Sequence, residues 1–216
     1  MPTPRPTPIT CLITGGATRS AATPVSDEFR AALALVERAV AAGVTLVQLR
    51  EKNLSARVLF ELAARASRLA RGTRTRVLVN DRADVARAAA CDGVHLAADS
   101  LDAATVRRAF GPDFLVGVSA HTHAEARAAR DGGADFALFG PVFDTPSKRA
   151  YGPPLGLDLL REAARALSPF PLVALGGVTL ENARACLAAG ARGVAAIRMF
   201  AESRDLAATV RAVENQ

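Results

Sequence analysis

Several short polar clusters, each closing an apolar run, hold the side chains that could do chemistry in this chain. Gln48-Leu49-Arg50-Glu51-Lys52 sets an amide and two cations at every second position, so an extended backbone points all three to one side. Such a face suits an anionic or heteroaromatic ligand. A solvated charge run is commoner in general, but it fits poorly where an apolar parallel strand ends. Asn80-Asp81 supplies an amide able to read a polar heterocycle edge and a carboxylate able to hold a hard cation, and the same pair is a common helix cap. His95 lies in Gly93-Val-His-Leu96 and is followed by Asp99 and Ser100. A lone His on a strand is more often packed than catalytic.

Ser119-Ala120-His121-Thr122 offers a hydroxyl, an imidazole whose ordinary pKa lies near neutral pH, and a Thr better suited to capping the next helix. Gly140-Pro-Val-Phe-Asp144-Thr145-Pro-Ser147-Lys148 then begins a long loop running to Pro154. A loop of that length is uncommon in a compact domain, and residues 143–154 are expected to form a flap over a site. Gly176-Gly177 lets backbone N–H groups approach a phosphate, and Arg198 adds a cation after the last apolar run.

The elements that must position these residues follow from periodicity. Apolar or β-branched runs at 9–14, 44–49, 76–80, 93–96, 114–119, 135–140, 171–175 and 193–197 alternate with amphipathic Ala/Leu/Arg stretches. Those stretches predict helices near 26–42, 55–71, 82–90, 101–110, 122–132, 156–167, 179–189 and 201–214. Eight strands and eight helices in 216 residues predict one (β/α)8 TIM barrel over 9–216, preceded by a Pro-rich lead-in at 1–8. A doubly wound fold is disfavoured, since it needs fewer strands and no G-x-G-x-x-G turn follows the first. In such barrels chemistry gathers at the C-terminal strand ends, which is where the polar clusters fall.

The formal net charge is +6, and of 27 basic residues only Lys52 and Lys148 are lysine. Scattered arginines and few aromatics argue against nucleic acid and for a small phosphorylated ligand. No apolar segment is long enough for a membrane helix, and the N-terminus has no signal-peptide core. A cytoplasmic protein with reduced thiols at Cys11, Cys91 and Cys186 is therefore expected, and a homo-oligomer is compatible with the sequence.

Together these motifs resemble thiamine phosphate synthase, whose barrel is shared by the related thiazole tautomerase. The resemblance runs from about residue 9 to 210. It implies a transferase that joins hydroxymethylpyrimidine diphosphate to hydroxyethylthiazole phosphate and releases diphosphate with the help of Mg²⁺. It further implies that Arg50, Lys52 and Lys148 stabilise the departing diphosphate and that Asp81 holds the metal. Gln48, Asn80 and His95 would line the pyrimidine, with Ser119 against the pyrimidine or its diphosphate. Thr145, Ser147 and the Gly176–Gly177 backbone would hold the thiazole phosphate.

Two positions depart from the synthase pattern. Where that pattern has a second acidic metal ligand, this chain has Ser100, with Asp99 one residue early as a candidate replacement. After the last strand, Arg198 stands where the synthase usually has a small polar residue, and it either adds a phosphate contact or obstructs one. Ser100-Leu101 and His121 also fit the tautomerase, with His121 as acid/base. A non-catalytic barrel that binds ligands of the same pathway is a third reading.

Overall fold

All eight apolar runs form parallel strands in the computed structural model, which describes residues 6–97, 99–145 and 153–216. They are β1 (Ile9–Ile13), β2 (Leu46–Leu49), β3 (Arg76–Asn80), β4 (Gly93–Leu96), β5 (Leu115–Ala120), β6 (Phe136–Phe139), β7 (Leu172–Leu175) and β8 (Gly193–Ala196). Each pairs with the next and β1 pairs with β8, so the sheet closes as a barrel. Helices α1 (Asp27–Ala41), α2 (Ala56–Ala70), α3 (Ala83–Ala88), α4 (Ala103–Phe110), α5 (His123–Asp131), α6 (Gly156–Leu167) and α7 (Leu180–Ala188) each follow a strand. The lead-in lies largely outside the described residues.

One expected element differs. The helix expected over 201–214 begins only at Leu206, as α9 (Leu206–Glu214), and a short helix α8 (Arg198–Ala201) precedes it. The Asp205 side chain accepts from the Ala208 N–H at 2.9 Å and so starts a new helix. Arg38 also donates to the Ser203 carbonyl, tying the break to α1.

Period-two alternation divides the strand side chains into two apolar clusters. Leu12, Val47, Leu49, Val77, Val79, Val94, Val116, Phe139 and Val194 face outward and pack with Phe29, Leu62, Leu160 and Phe200 from the helices. Cys11, Ile13, Leu46, Leu78, Phe136, Leu138, Val173 and Ala195 fill the barrel itself. A barrel plugged by side chains is closed along most of its axis, so a ligand can enter only at an end. The inward positions nearest the C-terminal end are the polar ones: Gln48, Asn80, His95 and Ser119.

The opposite end is closed by ion pairs. The Arg107 guanidinium donates to the Gly111, Pro112, Phe114 and Gly133 carbonyls and to the Asp135 carboxylate. A cavity of about 340 Å³ there is lined by Arg76, Arg87, Cys91, Asp92 and Asp113, and Arg76 already pairs with Asp92 at 3.1 Å.

Candidate active site

Gln48 and Asn80 form the first polar contact above the plug. Gln48 is buried, and its Nε2 donates to Asn80 Oδ1 at 3.4 Å. Strand register sets Asn80 beside His95. The His95 ring is 3% exposed and neither of its nitrogens has a hydrogen-bond partner among the described residues. Buried polar groups are rarely left so, and an in-plane polar ligand from the mouth would satisfy them.

Burial, with a smaller contribution from the Arg50 charge, lowers the His95 pKa from 6.5 to about 3. The ring is therefore neutral at physiological pH and can donate through one nitrogen and accept through the other. Phe136 lies against it, with ring centroids 6.3 Å apart. Gly117 makes room for that phenyl group, since a Cβ there would come within 2.4 Å of it.

A pH consequence follows from burying a neutral imidazole. The folded protein resists protonation that the unfolded chain accepts, so stability is full above the unfolded pKa of 6.5 and declines as pH falls toward about 3. Melting temperatures of wild type and His95→Asn should therefore converge between pH 7 and pH 5, because the variant lacks this loss. Parallel curves would contradict a neutral, buried His95.

Arg50 and Lys52 follow the end of β2. Arg50 is half-buried as a residue and its guanidinium makes no ion pair among the described residues, unlike Arg19, Arg76 and Arg107, which pair with Glu28, Asp92 and Asp135. Its backbone N–H donates to Thr14 Oγ1 at 2.8 Å, and a Cβ on Gly16 would lie 3.5 Å from its Nη1. Lys52 is exposed and sits in a turn beyond the strand, where alternation no longer sets its direction.

Glu51 carries a role that sequence reasoning missed. It is 4% exposed and accepts from the Gly16 and Thr18 N–H groups at 3.2 Å and from Thr18 Oγ1 at 2.7 Å. These bonds fasten the loop after β1 beside Arg50. β2 ends at Leu49, so alternation does not set the direction of Glu51, and the Thr18 donors that a buried carboxylate needs lie 33 residues away in sequence.

Asp81 adopts the left-handed conformation with φ 62°, and its N–H donates to the His95 carbonyl at 2.9 Å. It does not cap α3, whose N-cap is Arg82 and which has no side-chain cap bond. Its carboxylate is exposed, and Oδ1 accepts a short hydrogen bond from Ser100 Oγ. Asp99 is exposed and makes no hydrogen bond or ion pair among the described residues. No group of three or more His, Cys, Asp or Glu forms among the described residues. The donors still suit a Mg²⁺ ion, which commonly takes one or two carboxylates and completes its shell with water and substrate phosphate.

Ser119 is half-buried on β5. Thr122 caps α5, accepting from the Glu125 N–H at 3.1 Å, as its position predicted. His121 is held at both ends: its N–H donates to Glu125 at 2.6 Å, and its Nδ1 contacts the Gly140 carbonyl. A carbonyl only accepts, so Nδ1 carries the hydrogen.

The loop after β6 is zipped to the end of β7. The Val142 N–H donates to the Leu175 carbonyl at 2.8 Å and that of Phe143 to Gly176 at 3.0 Å. Gly176 and Gly177 have φ of 94° and 63°, and a Cβ on Gly177 would fall 2.6 Å from the Asp144 carbonyl. The glycine pair thus allows the two loops to touch. Thr145 is half-buried beside them, while Ser147 and Lys148 lie outside the described residues. Arg198 is exposed at the start of α8, after the partly exposed Ile197.

The cysteines stand apart from this end. Burial raises the thiol pKa to about 12 at Cys11, to about 12 at Cys91 and to about 11 at Cys186, so none is a ready nucleophile. No helix among the described residues is long and apolar enough to cross a membrane.

Comparison with known proteins gives a consistent picture. A putative thiamine-phosphate synthase of Geobacter sulfurreducens is 48% identical over 181 residues, covering 84% of each chain. The thiamine-phosphate synthase of Moorella thermoacetica is 43% identical over 182 residues, covering 84% of this chain and 86% of its own. The solved structure of thiamine phosphate pyrophosphorylase from Pyrococcus furiosus superposes with a TM-score of 0.78 at 27% identity, over 96% of this chain and 94% of that one. The family model described as thiamine monophosphate synthase matches residues 21–200, and the chain belongs to that family.

Proposed function

We propose that this barrel is a thiamine phosphate synthase, a transferase acting on small phosphorylated heterocycles. The observation that carries this reading is an exposed Asp81 carboxylate that caps no helix, at the same barrel mouth as an Arg50 guanidinium with no ion pair among the described residues, above a polar floor of Gln48, Asn80 and His95. A site for a monophosphate alone would have little use for that combination.

The reaction breaks the bond between the pyrimidine methylene carbon and the diphosphate oxygen, which leaves with the electron pair. The thiazole nitrogen lone pair then bonds to the methylene carbon, giving the thiazolium product. Gln48, Asn80 and His95 orient the pyrimidine, and neutral His95 avoids placing a cation against the carbocation. Arg50, Lys52 and Lys148 offset the charge of the departing diphosphate, with Ser119 beside it. Thr145, Ser147, Arg198 and the Gly176–Gly177 backbone hold the thiazole phosphate. Asp81, with Asp99, would hold Mg²⁺, which supplies charge neutralisation on the diphosphate. No side chain acts as a nucleophile.

Gly177→Ala tests the thiazole side. An added methyl group at φ 63° against the Asp144 carbonyl must shift the loop. The KM for the thiazole phosphate should rise roughly tenfold, equivalent to about 1.4 kcal/mol of binding, while that for the pyrimidine diphosphate stays near wild type. Equal rises in both would remove Gly177 from that subsite.

His121 supports a second reading. With Nδ1 on the Gly140 carbonyl, Nε2 of the neutral ring carries the lone pair and could move a proton, as a thiazole tautomerase requires. The deciding experiment supplies purified protein and Mg²⁺ with both precursors, or with the carboxythiazole phosphate tautomer alone, and identifies products by mass spectrometry. Thiamine phosphate from the first mixture supports the synthase. Isomerisation in the second with no coupling in the first would replace that reading with the tautomerase.

A further inference from the structure

We propose that Ser100 is a positioning residue for Asp81, holding the carboxylate ready for a divalent cation that arrives with diphosphate; this rests on the reading of Asp81 as the metal-holding residue. Ser100 Oγ makes two bonds of opposite sense. It accepts from the Ala97 N–H at 2.7 Å and donates to Asp81 Oδ1. A hydroxyl has one hydrogen, so using its lone pair on Ala97 leaves that hydrogen for the carboxylate. The Ser100 N–H also donates to the Ala97 carbonyl at 3.2 Å, which closes the turn after β4 and fixes where the hydroxyl sits.

Asp81 needs such an anchor. Its left-handed backbone is held by one bond to the His95 carbonyl, and its side chain is exposed. Its second carboxylate oxygen accepts no hydrogen bond among the described residues. The result is a carboxylate fixed through one oxygen with the other available. A hydroxyl at position 100 does this without bringing a second anion against Asp81, so the site does not repel itself before the cation is present. If Ser100 served only to close its own turn, the bond to Ala97 would suffice and the donation to Asp81 would have no use.

The test measures Mn²⁺ binding by electron paramagnetic resonance of the unbound ion, with inorganic diphosphate present, for wild type, Ser100→Ala and Ser100→Thr. The expected result is that Ser100→Ala weakens Mn²⁺ by about tenfold or more, that Ser100→Thr restores most of the loss, and that diphosphate binding without metal stays at the wild-type level in both. Wild-type Mn²⁺ affinity in Ser100→Ala overturns the proposal while leaving Asp81 as a ligand. Failure of Ser100→Thr to recover affinity also overturns it. Absence of Mn²⁺ binding by wild type overturns both this proposal and the reading of Asp81 on which it rests.

Discussion

Replacing Arg50 by alanine is expected to lower kcat by ~100- to 1,000-fold while the KM for either precursor changes far less. The departing diphosphate gains charge as the carbon–oxygen bond breaks, so a fixed cation stabilises the transition state more than the bound substrate. Arg50 is suited to this because it is half-buried, has no carboxylate partner among the described residues, and is placed through its backbone bond to Thr14. Water screens it less than it screens a fully exposed lysine. Arg50→Lys should recover only part of the rate, since an ammonium lacks the planar fork that meets two phosphate oxygens. The check is steady-state kinetics of diphosphate release. A kcat near wild type for Arg50→Ala would move the charge stabilisation to Lys52 and Lys148.

The second large effect belongs to Asp81→Asn, for which turnover should fall by ~100-fold, about 2.7 kcal/mol of barrel-mouth charge stabilisation. Asparagine adopts the left-handed conformation at least as readily as aspartate, so φ 62° is tolerated. Its amide oxygen can still accept from Ser100. The substitution therefore removes a charge with little change in shape, and the melting temperature should stay close to wild type. The Mg²⁺ concentration giving half-maximal rate should rise. An unchanged Mg²⁺ titration would show that the cation, if used, is held elsewhere.

Much of the barrel was legible because each strand is an apolar run, and several carry polar residues near or just past their C-terminal ends. Leu46-Val47-Gln48-Leu49 and Gly93-Val94-His95-Leu96 show this directly, and both form the strands their pattern predicts. The break between α8 and α9 was not legible, because Ala and Leu around Asp205 continue a helical period and only the capping bond to Ala208 interrupts it. In the site, the residue types at the strand ends were readable but their partners were not. Glu51 reaches Thr18 across 33 residues and Ser100 reaches Asp81 across 19, and neither spacing has a local signature. Asn80-Asp81 read equally as a helix cap until α3 proved to start without one. The two lysines stand out in composition by their rarity alone. Lys52 is exposed in the turn after β2, and Lys148 lies outside the described residues.

One site is proposed to couple two phosphorylated heterocycles with loss of diphosphate. Phosphorus NMR of the purified protein with Mg²⁺ and equimolar precursors tests it most directly. Diphosphate and thiamine phosphate should appear in equal amounts as both precursors disappear, with no diphosphate accumulating beyond the thiamine phosphate formed. Unchanged precursor signals under conditions where the Moorella thermoacetica relative turns over, or diphosphate released without thiamine phosphate, would contradict it.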